Sequence, residues 1–166
     1  LIDDSTIPCL SAMTEHFIKD GDSVLAVQPV PWHEINQYGV VSVEDPIQSY
    51  SAILDMIEKP QREFAPSNLA AVGRYVFTSA IFKCLKQTIP DHRGEIQLTD
   101  AIHRLLNEQK VQAYQFLGKR YDCGSKLGYL QATVEFGMHH SEIGLAFTQY
   151  LQNLKIVKSI QQATLT

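Results

Sequence analysis

The 166-residue chain has little that would suit it to a membrane or a nucleic acid. No apolar run approaches the roughly 18 residues that a membrane-spanning helix needs. Lys and Arg number 14 against 18 Asp and Glu, so the formal net charge is -4, whereas a nucleic-acid-binding face is normally basic. We therefore expect neither a membrane nor a nucleic acid as a partner.

Cysteine is also scarce. The three residues Cys9, Cys84 and Cys123 are far apart and odd in number, which argues against a disulfide framework. No CxxC pair indicates zinc, and the six histidines show no metal-ligating spacing. A reducing, cytoplasmic setting is expected. The start, residues 1–4, lacks the basic and apolar stretches of a signal peptide and is typical of the end of a strand whose beginning is missing.

What the chain does contain is enough apolar sequence for a core, with 45% hydrophobic and 19% charged residues. The length fits one compact domain, which we place at residues 1–158, followed by a polar tail at 159–166. β-Branched runs alternate with helical periodicity, which predicts an α/β fold. The predicted strands are 24–30, 38–43, 52–58, 70–77 and 111–117, and the predicted helices are 7–20, 79–88, 98–109, 126–138 and 141–154.

The residues Glu58 and Lys59 stand at the end of a predicted strand, just before a proline. Strand ends are where open α/β sheets usually bind ligands. A lysine can meet a phosphate as a compact charge, and a glutamate can accept hydrogen bonds from sugar hydroxyls. A surface ion pair beside a turn explains the same two residues. Gly39, at the start of another strand, permits close approach of a ligand but also fits an ordinary turn.

Carboxylates follow two further strands. Asp3 and Asp4 come after the first apolar residues, and Asp122 lies in a tight turn. Mg²⁺ takes one or two carboxylates together with substrate oxygens, so these acids could form a metal site. Capping of a helix or turn is the alternative for each of them, as it is for Thr99 and Asp100 at the start of a predicted helix.

Five sequence stretches, in this order and with these gaps, resemble bacterial UTP–glucose-1-phosphate uridylyltransferases. They are QYGVV at 37–41, IEKP at 57–60, PSNLAAVGRYV at 66–76, GEIQLTDAI at 94–102 and GKRYDCGSKLGY at 118–129. The resemblance covers nearly the whole chain apart from the tail. It implies a doubly wound, Rossmann-like nucleotidyltransferase sheet with flanking helices, here a C-terminal part from which the first strands are missing.

The resemblance also implies a reaction and a set of site residues. Members join UTP and glucose 1-phosphate to give UDP-glucose and pyrophosphate with Mg²⁺. At the matching positions, Lys59 would contact the phosphate of the sugar as the catalytic lysine, and Glu58 would hold glucose hydroxyls. Gly39 would let the backbone meet the sugar, and Asp3 and Asp122 would bind the metal.

The family's first segment, a Gly-rich loop with Arg and Lys that cradles the triphosphate, has no counterpart here, since the chain contains no Gly-x-Gly cluster. We therefore expect glucose 1-phosphate and UDP-glucose as ligands, UTP only together with the missing segment, and an inactive chain on its own. Missing strands would leave an exposed sheet edge, which predicts a homo-oligomer. The alternatives are a non-catalytic module for sugar-phosphate binding or self-assembly, and a structural domain whose motif residues only cap and turn.

Overall fold

The computed structural model describes residues 7–154 of the chain. The helices in this range are Cys9–Asp20 (α1), Ala80–Gln87 (α2), Leu98–Leu106 (α3), Lys126–Met138 (α4) and Gly144–Asn153 (α5). The strands are Ser23–Pro29 (β1), Gly39–Val43 (β2), Tyr50–Glu58 (β3), Leu69–Val76 (β4) and Val111–Gln115 (β5). The predicted α/β class is confirmed. The predicted domain end at 158 and the tail at 159–166 lie outside the described residues.

The strands pair in a closed ring in the order β1-β4-β2-β3-β5. Only β1 and β5 run parallel, and the other four pairings are antiparallel. Because every described strand has a neighbour on both sides, the exposed sheet edge expected from the sequence is not found among them. The argument that such an edge drives self-association therefore has no support from these strands.

Strand β1 is the most deeply placed strand of the ring. Its first five residues, 23–27, form a buried run in which all but Ser23 are apolar, rather than an alternating pattern. It pairs with β4 on one side and with β5 on the other. A buried polar residue, Ser23, begins this run, and its hydroxyl accepts hydrogen bonds from the amide of Thr78 and from Gln109.

Helices α2 and α3 complete the main core. Helix α3 presents Ala101, Ile102 and Leu105 at helical spacing to the sheet, and all three are fully buried. They pack with strand residues that include Val41 and Met56. Burying a side chain as large as Leu105 contributes about 1.5–3 kcal/mol, so this packing fixes where α3 begins relative to the end of β3.

Three helix ends differ in how they are capped. Helix α1 is terminated by Gly21, which follows its last residue and has a left-handed backbone (φ 76°). The amide of Gly21 donates a hydrogen bond to the carbonyl of Phe17 at 2.9 Å. Ser79 occupies the position before the first residue of α2, but its backbone is helical and its side chain makes no capping hydrogen bond. A true cap is found at Ser125, whose hydroxyl accepts the amide of Gly128 at the start of α4.

Residues 119–154 form a compact unit separate from residues 7–118. In it, α4 and α5 contact each other where Phe147 lies against Gly137; a methyl group at Gly137 would come within 2.7 Å of the Phe147 ring. The helices found in residues 7–154 are all too short or too polar to span a bilayer.

Candidate functional site

The antiparallel pairing of β2 with β3 brings two distant parts of the sequence together. Gly39, the first residue of β2, is the register partner of Glu58, the last residue of β3. The core side chain Met56 precedes Glu58 by two residues, so both point to the same face of the strand. That face carries the main core, and Glu58 therefore lies at its rim, with 30% of its side chain exposed.

Lys59 departs from the strand by an unusual backbone conformation. Its φ is 44°, in the left-handed region that residues other than glycine rarely occupy. Its amide donates to the carbonyl of Tyr38 at 2.9 Å, which ties this turn to the start of β2. The ammonium Nζ lies 3.4 Å from Oε1 of Glu58, although neighbouring residues of a strand normally point to opposite faces.

Helix α3 supplies the second partner of Glu58. The hydroxyl of Thr99 donates to Oε2 of Glu58 at 2.5 Å, and Thr99 is only 7% exposed. Thr99 makes no capping hydrogen bond at the helix start, because the residue in the cap position is Gln97. Capping by Thr99, one alternative considered from the sequence, is therefore wrong, and its side chain serves the strand end instead.

The space beside Gly39 explains why this position has no side chain. A methyl group there would come within 2.7 Å of Cε of Met56 and within 3.2 Å of both Oε2 of Glu58 and Oγ1 of Thr99. These distances are shorter than ordinary van der Waals contacts. Gly39 is thus part of the packing around the Glu58 carboxylate, which an ordinary turn glycine would not be.

The charges of this cluster define what it can bind. Lys59 offers a cation with 54% of its side chain exposed, and the carboxylate beside it has one oxygen already engaged by Thr99. The Glu58 carboxylate also affects Tyr75. Burial of the phenol, and secondly the negative charge of Glu58, raise the pKa of Tyr75 above its ordinary value. The Tyr75 phenol therefore stays neutral at pH 7. An ammonium beside a carboxylate suits a ligand that carries both a phosphate and hydroxyl groups.

Asp122 belongs to the compact unit of residues 119–154 and forms a turn there. Its Oδ1 accepts the amide of Gly124 at 3.0 Å, so the turn role considered from the sequence is present. The residue is exposed. An exposed carboxylate fits Mg²⁺ as a single ligand, since this ion often takes one or two carboxylates and completes its shell with water and substrate oxygens. Within residues 7–154 no three His, Cys, Asp or Glu side chains group as a metal site, and Asp3 and Asp4 lie outside that range.

A cavity of about 700 Å³ lies at the opposite end of β3 from Glu58, and no predicted site residue lines it. Four of its lining residues are carboxylates, which would repel a phosphate group. Its ionisable lining residues are His16, Asp20, Asp22, Glu44, Asp45, Tyr50 and Lys110. The cluster at Glu58 and Lys59 remains the better candidate for an anionic ligand, although it is more open.

The chain matches the family described as nucleotidyl transferase over residues 1–137. This match covers most of the sequence and agrees with the α/β fold and with a strand-end cluster suited to a phosphate. The chain belongs to the nucleotidyl transferase family. Its similarity also extends to a particular group within that family.

That group is the UTP–glucose-1-phosphate uridylyltransferases. The Haemophilus influenzae member is 42% identical over 148 residues, 87% of this chain and 50% of the relative. The Bacillus subtilis member is 41% identical over 150 residues, 89% and 50% of the two chains. The chain thus spans about half the length of the curated relatives it matches.

Solved structures give the same picture. A UDP-glucose pyrophosphorylase complexed with UDP-glucose aligns with a TM-score of 0.76 and 41% identity, over 81% of this chain and 51% of the other. A UTP-bound enzyme from Acinetobacter baumannii aligns with a TM-score of 0.82 and 39% identity, over 93% and 54%. These neighbours support the nucleotidyltransferase fold inferred from the sequence.

Proposed function

We propose that the chain carries the sugar-phosphate half of a uridylyltransferase site, in which the uridylyl group of UTP passes to glucose 1-phosphate. The observation that carries the proposal is the cluster of Gly39, Glu58 and Lys59, which are brought together from two strands. The proposal accounts for the left-handed Lys59, because strained backbone is often retained where a side chain must be aimed.

In this proposal each member of the cluster has one task. Lys59 contacts the phosphate of the sugar and offsets its negative charge, while Glu58 accepts hydrogen bonds from glucose hydroxyls. Gly39 leaves room for the sugar to approach the backbone at the start of β2. The surface-pair interpretation accounts for the Lys59–Glu58 contact but not for the buried Thr99 donor or for the close packing at Gly39.

The chemistry follows from these positions. A phosphate oxygen of glucose 1-phosphate attacks the α-phosphorus of UTP; the new P–O bond forms as the bond to pyrophosphate breaks. The protein mainly positions the reactants and offsets charge. Asp122 would be a ligand of Mg²⁺, as would Asp3, which lies outside the described residues; the ion, when bound, neutralises the charge of the phosphates. We assign UTP binding to the part of the longer relatives that this chain does not span.

Titration calorimetry with glucose 1-phosphate tests the proposal directly. We expect the wild-type chain to bind, and Lys59→Ala to weaken binding about tenfold or more, the fold-change expected for a lost charge-assisted contact. Lys83→Ala is the matched control, because Lys83 is also an exposed lysine paired with a glutamate, Glu108 at 2.8 Å. Equal affinity of the wild-type chain and Lys59→Ala would overturn the assignment.

A second assay separates a transferase from a binding module. Pyrophosphate release would be followed with UTP, glucose 1-phosphate and Mg²⁺, for the wild-type chain and for Lys59→Ala. We expect no release by the chain alone and restored release when a polypeptide covering the rest of a full-length relative is added. Binding without any restored turnover would favour the non-catalytic module instead.

A further inference from the structure

The contact between Thr99 and Glu58 carries an inference beyond the sugar-phosphate site itself. Glu58 ends a strand and has a long side chain, so its carboxylate would sample several rotamers if nothing held it. Thr99 is the opposite kind of residue: it is β-branched, stiff at χ1 and 93% buried, and it sits in the first turn of α3. Its Oγ1 lies 2.5 Å from Oε2 of Glu58.

We propose that Thr99 is a positioning residue that fixes the orientation of the Glu58 carboxylate. Its hydroxyl occupies Oε2 and leaves Oε1, on the side of Lys59, as the acceptor for a sugar hydroxyl. The role of that acceptor rests on the proposed function, whereas the fixed orientation does not. Thr99 touches neither phosphate nor sugar in this arrangement and acts only through Glu58.

The surroundings limit the carboxylate to this one partner on the Oε2 side. Oε2 and the Thr99 hydroxyl are closely packed beside Gly39, since a methyl group there would lie 3.2 Å from both. The hydroxyl has one proton, so its donor capacity is spent on Glu58. The packed core beneath α3 holds the start of the helix in place. The hydrogen bond from Thr99 then fixes the Glu58 carboxylate relative to that helix start.

A purely structural role for Thr99, as a link between α3 and β3, is the competing explanation. A second link joins the same two elements: His103 Nδ1 lies 3.0 Å from Oδ1 of Asp55, and both side chains are exposed. His103→Ala breaks that link without touching Glu58. It therefore provides a matched control for any effect that arises only from loosening α3.

The first experiment compares Thr99→Val, Thr99→Ser and His103→Ala by titration calorimetry with two probes. Thr99→Val keeps the shape but removes the hydroxyl, and we expect it to lower the affinity for glucose 1-phosphate about tenfold. Inorganic phosphate, which needs only Lys59, should bind equally to all variants. Thr99→Ser and His103→Ala should bind glucose 1-phosphate like the wild-type chain. Equal loss for both probes in Thr99→Val would overturn the proposal.

The second experiment needs no ligand and so stands apart from the proposed function. In a chain labelled with ¹³C-glutamate, the side-chain carboxyl resonance of Glu58, assigned with Glu58→Gln, reports its hydrogen bonding. We expect this resonance to shift in Thr99→Val and in the smaller Thr99→Ala, and to return in Thr99→Ser. An unchanged resonance would overturn the positioning role. If the resonance shifts in Thr99→Val but the wild-type chain binds no glucose 1-phosphate, the proposed function alone is overturned.

Discussion

Gly39 is required by the space around it rather than by its backbone angles. We expect Gly39→Ala to lose about 1 kcal/mol of stability, because the added methyl group overpacks the site and must displace the ends of the Met56 and Glu58 side chains. Displacing the Glu58 carboxylate should lower the affinity for glucose 1-phosphate about tenfold. Urea unfolding and calorimetry would measure the two effects.

Gly21→Ala separates these two effects. Gly21 has open space around it but a left-handed backbone at φ 76°, so alanine is strained there. This control should lose stability and keep its affinity. If Gly39→Ala behaved in the same way, the close packing at Gly39 would have no bearing on binding.

Lys59 offers a test of stored strain at a single residue. With φ at 44°, the backbone of Lys59 suits glycine better than any residue with a Cβ. We expect Lys59→Gly to be more stable than Lys59→Ala by about 1 kcal/mol in urea unfolding, while both lose affinity for glucose 1-phosphate. Such a result would mean that the lysine is kept at a cost in stability.

The same pair of substitutions at Lys83 should give the opposite order. Lys83 lies within helix α2, where alanine is favoured over glycine by about 1 kcal/mol. If Lys59→Gly were instead less stable than Lys59→Ala, the left-handed turn at residue 59 would not be strained.

At the scale of elements, the loop before α3 sets the position of Thr99. Asp91 organises this loop: its Oδ1 accepts the amides of Glu95 and Arg93, and its Oδ2 accepts Gln97 Nε2 at 2.9 Å. These hydrogen bonds, that from the Glu95 amide first, lower the pKa of Asp91 below its ordinary value. The carboxylate therefore stabilises the folded chain above the unfolded pKa of about 3.9, and this contribution is lost as the pH falls through the lower folded pKa.

We expect Asp91→Asn to reduce the loss of stability on acidification. Its free energy of unfolding should be lower than that of the wild-type chain at pH 7, and the difference should shrink below about pH 4. Urea unfolding between pH 3 and pH 7 measures this. Glu95→Gln is the control: it removes a charge from the same loop but leaves the amide donors to Asp91 in place. Its free energy of unfolding should therefore change with pH as that of the wild-type chain does. Parallel pH profiles for wild type and Asp91→Asn would contradict the prediction.

The elements themselves were largely predictable from the sequence, because each has a local signal. Helix α4 has the predicted bounds, and Gly21 ends α1 as a C-terminal glycine should. The site was predictable only in part. The sequence indicates that Glu58 and Lys59 end a strand, but the left-handed turn and the Thr99 contact depend on how α3 packs against β3. The segment GEIQLTD carried a signal, a polar helix start, which local rules attribute to capping.

At the scale of the whole molecule, the predicted site residues belong to two compact units. Gly39, Glu58, Lys59 and Thr99 all belong to residues 7–118, whereas Asp122 belongs to residues 119–154. The homo-oligomer stays a prediction, now without the exposed edge that motivated it. Sedimentation velocity would decide it, and a single monomeric species at micromolar concentration would contradict it.

The division into units makes the location of ligand binding measurable in the intact chain. A ligand at 100 times its Kd stabilises the folded state by about 2.7 kcal/mol, so glucose 1-phosphate should raise the Tm by about 5–10 °C. In hydrogen exchange without Mg²⁺, protection should centre on the start of β2, the end of β3 and the start of α3. Lys59→Ala should abolish both responses. Protection confined to residues 119–154 would contradict the site, because Lys59, Glu58 and their supporting contacts all lie in the other unit.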